Sequence, residues 1–171
     1  MIKIATAAMA AGLAIAVAGP AAALDDAQIA HIAVTADSVD IGWAQVAMQK
    51  ASDPRVRQFA QDMVRDQTAL NTLAVALFQK LGLTPAPNNT STSLDRSAEA
   101  KRQQYAGLTG PAFDRTYLQN EVAFHRKVNS ALRGMLIPDA KSPALKSLLQ
   151  AGLVKFEQHQ AQAEQLAAKL G

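Results

Sequence analysis

Three stretches of this chain place apolar residues at alternating four- and three-residue steps, the seam along which one helix packs against another. One reads Val56, Ala60, Met63, Gln67, Leu70, Ala74, Leu77, Leu81. A second reads Leu118, Glu121, His125, Val128, Leu132, Met135, and a third Leu145, Leu149, Gly152, Phe156, His159, Ala163, Leu166, Leu170. Seams of this length admit little besides a bundle of long helices. Each also carries polar members, Gln67 in the first, Glu121 and His125 in the second, His159 in the third. A bundle built on these seams turns those groups toward its own interior.

The segment before the seams completes the set. Asp25 or Asp26 can cap a first helix over about 26–51, with the stripe Ile29, Ile32, Ala36, Val39, Trp43, Val46. Ser52-Asp53-Pro54 is a cap followed by proline at the first helical position, so a second helix is expected over 54–81, antiparallel to the first because the link is so short. Gly82 ends it, and Thr84 to Asn89 reads as an extended connection. Ser93 can cap a short helix over 94–106, and Thr109-Gly110-Pro111 breaks the chain again. A third long helix is expected over 111–135, ended by Pro138, and Ser142-Pro143 opens a fourth over 143–170. The expected fold is all-α, a ferritin-like four-helix bundle with a long crossover, carrying the short helix, between the second and third long helices. An up-down-up-down connection is the competing topology.

The amino end reads as an export signal. Lys3 precedes an apolar run from Ile4 to Ala18, Gly19-Pro20 breaks it, and Ala21-Ala22-Ala23 supplies small residues for cleavage after Ala23. The run is shorter than the ~20 residues of a membrane span. Residues 1–23 are thus expected to be a signal peptide and 24–171 one mature domain without a transmembrane span, periplasmic or associated with the outer membrane. The 171 residues contain no cysteine, which excludes disulfides, cysteine nucleophiles and thiolate metal sites. The net charge of +3 is spread: Arg55, Arg57 and Arg65 alternate with Asp53, Asp62 and Asp66, the opposite of a nucleic-acid-binding patch. No nucleophile elbow or phosphate loop occurs. Tyr117 is expected in the core with its hydroxyl bonded, and Asp114 as an acid favoured by a helix N-terminus.

Counting from the helix starts, Asp40, Gln67, His125 and His159 all fall near mid-helix, so antiparallel packing brings them to one level to within about a turn. Asp40 flanks its stripe rather than lying on it. Two imidazoles with Glu121 and Asp40 are a donor set for iron, zinc or copper. The di-iron pattern is absent: Glu121-x-x-x-His125 is one residue longer than Glu-x-x-His, Glu157-x-His159 puts the two on different faces, and the second helix offers Asp66, not Glu. The alternative is a satisfied polar network that sets helix register.

Several elements together resemble the DUF4142 family. Val39-Asp40-Ile41-Gly42 is similar to its acidic-x-Gly element, and Phe59 to Asn71 to its FA-x-x-MV-x-DHT-x-x-N stretch. Phe113-Asp114-Arg115-Thr116-Tyr117 resembles its FD-x-x-Y element, and His125 and His159 match its later histidines. The resemblance implies an exported bacterial protein, often labelled an outer membrane protein, with a ferritin-like bundle and no settled biochemical role. It also implies that Gln67 stands where the family has histidine. The expected function is that of a non-enzymatic envelope protein acting by binding or structure, with no required cofactor and an envelope protein or a second copy of itself as partner. The alternative is a periplasmic metal-binding bundle using His125, His159, Glu121 and Asp40.

Overall fold

The computed structural model describes residues 23–170, and all its regular elements are helical. The expected leader lies outside the described residues apart from Ala23. Helix α1 spans Asp26–Lys50 and α2 Pro54–Leu81. Helix α3 spans Asn89–Ala106, α4 Gly110–Ala131, the short α5 Ile137–Asp139, and α6 Pro143–Leu170. A π-helical turn, Leu132–Leu136, joins α4 to α5.

Local chemistry sets these boundaries. Asp25 caps α1 by accepting from the Gln28 amide while Gln28 reaches back to the Asp25 amide, a capping box. Asp53 caps α2 ahead of Pro54, and Gly82 ends it at φ 62°, the left-handed conformation glycine adopts without strain. The short helix begins earlier than its sequence suggests. Asn88, not Ser93, is the cap, with its side chain accepting from the Thr90 and Ser91 amides. The third long helix ends at Ala131 rather than near 135. Pro138 lacks the N–H that an α-helix would use and its ring would press on the Gly134 carbonyl, so the wider π turn carries the chain past it.

Helix directions follow from hydrogen bonds between the ends. The Ala86 amide donates to the Ala27 carbonyl at 2.9 Å and the Asn88 side-chain amide to Gln28, so the chain leaving α2 returns to the start of α1. Lys50 at the far end donates to the Ala106 carbonyl at 2.9 Å, so α3 runs beside α1 in the same direction. Asp114 in the first turns of α4 accepts from the Ser52 and Asp53 amides, and Asp26 accepts from the Lys141 and Ser142 amides before α6. Helices α1 and α6 therefore run one way, and α2 and α4 the other.

Helix α1 touches α2, α3, α4 and α6, which is why its buried set extends beyond one stripe to Asp37, Asp40 and Ala44. The apolar core has two lobes. One, at the α1–α2 link end, gathers Trp43, Phe59, Tyr105, Phe113, Tyr117 and Phe124; the other gathers Ile29, Ile32, Phe78, Leu136, Leu145 and Leu149. Val128 packs against both lobes, and the polar residues of the seams lie at this junction. Among the described residues, no helix is long and apolar enough to cross a membrane.

Candidate metal centre

Asp40, Gln67, His125 and His159, expected at one height on four helices, lie against one another in the core. Asp40, Gln67, Glu121 and His125 are wholly buried, and His159 is 2% exposed. Asp40, expected beside its stripe, faces inward because α1 is covered on several sides. The Gln67 amide donates to Asp40 Oδ2 at 2.7 Å. The same Asp40 oxygen lies 3.6 Å from His125 Nε2, and Glu121 Oε2 is 3.5 Å from His125 Nδ1. One donor atom from each of Asp40, Glu121 and His125 lies within 4.8 Å of the other two. The four-residue step from Glu121 to His125 puts both on one helix face, one above the other.

The hydrogen bonds fix what each group can do. His125 Nδ1 is 2.9 Å from the Glu121 backbone carbonyl, which only accepts, so Nδ1 carries the proton. That leaves Nε2 with a lone pair directed at carboxylate oxygens and no hydrogen-bond partner. Both Glu121 carboxylate oxygens, Asp40 Oδ1 and Gln67 Oε1 are also buried without partners. Buried polar groups are almost always paired, so this many acceptors facing one another lack a proton or a cation among them. A carboxyl proton answers part of the need. Burial, then the charge of Asp40, push the Glu121 pKa well above the ordinary carboxylate range, which favours a proton on Glu121 beside Asp40.

His159 stands next to His125, with ring centroids 5.7 Å apart and near-perpendicular planes, but outside the group of three. Its Nε2 lies 3.1 Å from Asp66 Oδ2, so Nε2 donates, and Nδ1 is left buried without a partner. Burial lowers the His159 pKa and the charge of His125 adds to that, against the raising effect of Asp66. Partial burial opposes the Asp66 charge, but hydrogen bonds from Arg65 and His159 and the charge of Lys155 outweigh it and bring its pKa down to about 2. A histidine whose other nitrogen is held by a carboxylate or a backbone carbonyl is the usual arrangement of a metal-ligating imidazole, and both histidines have it.

Sequence reasoning found every member of the buried group except its supports. Asp66 was seen only as a poor substitute for Glu, and its pairing with His159 was visible solely as a carboxylate flanking a seam position. Asp37, one turn before Asp40, is 7% exposed and was missed because it falls outside the first stripe. Tyr117 is in the core as expected, but its hydroxyl has no partner, nor does that of Tyr105. Burial and then the charge of Glu121 raise the pKa of both phenols. Asp114 serves as more than a charge near a helix end: it clamps the α1–α2 link through both amides and the Ser52 hydroxyl.

Comparison with curated proteins gives no match. Solved structures resemble the chain in fold. A DUF305 protein from Streptomyces coelicolor, presumed secreted, superposes with a TM-score of 0.72 at 16% identity, over 85% of this chain and 93% of that one. CopM in its Cu(II)-bound form superposes with a TM-score of 0.66 at 16% identity, over 88% of this chain and all of that one. At that identity both likenesses speak for the fold alone. The model of a domain of unknown function, DUF4142, matches residues 12–166, and the chain belongs to the DUF4142 family.

Proposed function

We propose that this chain is an exported helical protein that holds one divalent transition-metal ion in its core through Asp40, Glu121 and His125, with His159 as the nearest further donor. The observation that carries the reading is a cluster of buried donor groups: one ligand atom from each of Asp40, Glu121 and His125 lies within 4.8 Å of the others, and His125 Nε2, both Glu121 oxygens and Asp40 Oδ1 have no hydrogen-bond partner among the described residues. One imidazole nitrogen and two carboxylates fit zinc, iron or copper, and the absence of thiolates disfavours the softest ions. The Cu(II)-bound form of CopM places copper among the first ions to test. Gln67, at the place of the family histidine, supports the site indirectly by donating to Asp40 and orienting it.

The rest of the reading rests on the sequence, the family and the helix directions together. Two helices each way with α3 as the return support the ferritin-like four-helix bundle, a fold that builds metal sites from side chains on facing helices. Residues 1–23 act as a signal peptide cleaved after Ala23, and 24–171 work in the periplasm or at the outer membrane. The role is binding rather than catalysis. A second reading is favoured by the Gln67–Asp40 bond and the raised Glu121 pKa: a protonated Glu121 donating to Asp40 makes a purely structural network. Metal analysis of the mature protein, purified untagged from periplasm, separates the two. Near-stoichiometric metal that the His125→Ala/His159→Ala double variant lacks supports the site. No metal, even after soaking in iron, copper and zinc, leaves the network.

A further inference from the structure

Phe156 borders a second feature of the core. A cavity of about 90 Å³ opens among α1, α2, α3, α4 and α6, with Phe156 in its wall and also against the His125 ring at 5.2 Å. Its walls are hydrocarbon from Ile32, Ala36, Leu70, Leu132 and Leu149, together with Gly152. Gly152 holds a seam position where every neighbouring seam residue on α6 has a side chain, and a Cβ built on it meets nothing within 4 Å. The missing side chain at Gly152 thus leaves open space on the wall of the cavity.

One carboxyl group lines this apolar space. Asp37 is 7% exposed, and among the described residues it makes no hydrogen bond or ion pair. Its surroundings favour positive charge. Asp40 stands one turn along α1, and the cation on the lining, Lys127, is an exposed side chain with a long stem that forms no ion pair with Asp37. The Asp37 oxygens keep a narrow contact with solvent while the rest of the residue is packed against hydrocarbon, so a carboxylate there is poorly hydrated, and a ligand ammonium compensates for that while its carbon chain fills the void. Apolar cavities of roughly 150 Å³ hold benzene, so this smaller one suits a chain of about four carbons.

We propose that this cavity binds a small primary alkylammonium ion, its chain against Gly152 and Phe156 and its ammonium on Asp37. The inference is independent of the metal reading, because no residue of the three-atom group lines the cavity.

The probe is n-butylammonium, with n-butanol as the neutral control, titrated into the metal-free mature protein by heteronuclear NMR at about pH 9, where Asp37 is ionised. Saturable shifts centred on Asp37 and Gly152 are expected for n-butylammonium. Asp37→Asn should weaken n-butylammonium at least tenfold while leaving n-butanol within twofold. Gly152→Val should abolish both by filling the space, with the fold read from the unchanged remainder of the spectrum. Equal binding of n-butylammonium to wild type and Asp37→Asn, or no saturable shift up to about 50 mM, would overturn the proposal.

Discussion

His125 shows how much one hydrogen bond decides. Because Nδ1 donates its hydrogen bond to the Glu121 carbonyl, the other nitrogen faces Asp40 as a lone pair, which is the feature the proposed cation site rests on. Asp37 has the opposite fortune, with no partner among the described residues. Burial, followed by the charge of Asp40, raises its pKa from 3.8 to about 8. The folded chain then keeps a proton that the unfolded chain has released, so stability falls as pH rises through that window. Asp37→Asn should flatten that slope and stabilise the chain by at least ~1 kcal/mol at pH 8, measured by urea denaturation across pH. At Gly152, alanine fits the open space and removes a poor helix former. Gly152→Ala should therefore raise stability by ~1 kcal/mol, read as a higher urea midpoint at constant slope. Of these residues, the seam members were legible because a break in an apolar repeat is visible in one dimension. Asp37 and Asp66 were not, since their burial depends on which neighbours cover the flank of a helix.

At the scale of elements, starts were more legible than ends and connections. Prolines and caps announce α2 and α6 to the residue, because Pro54 and Pro143 leave few alternatives. The end of α4 was not legible: accommodating Pro138 by a π turn depends on Leu132 and Leu136 packing into the lower core lobe. The α2 seam also drifts, with Phe78 buried and Leu81 exposed, since a seven-residue repeat slips about 20° per two turns on a straight helix. The link between α1 and α2 depends on Asp114, which is 2% exposed and reaches it from α4. Asp114→Ala strands two amides and a hydroxyl, and should cost ~2–4 kcal/mol in chemical denaturation with helicity retained. His159→Leu is the contrasting case. Its seam is otherwise apolar and Asp66 keeps Arg65 and Lys155, so the fold should survive with a melting temperature within a few degrees of wild type, measured by circular dichroism.

For the whole molecule, the interspersed charges and the two core lobes joined at a polar layer set the behaviour. The mature chain should show a strongly helical far-UV spectrum and no salt-sensitive nucleic-acid binding at physiological ionic strength. A metal held at the proposed site, at the junction of the lobes, would couple them. An ion at a hundred times its Kd adds about 2.7 kcal/mol, which for a domain of this size raises Tm by ~5–10 °C, reversibly by chelation. Calorimetric titration of the metal-free mature protein with Cu(II) and then Zn(II), beside His125→Ala and Glu121→Gln, tests the account most directly. One ion per chain in the wild type, with binding weakened at least a hundredfold in both variants, is the predicted result. Undiminished binding in His125→Ala, or no stoichiometric binding of either ion by the wild type, would contradict it.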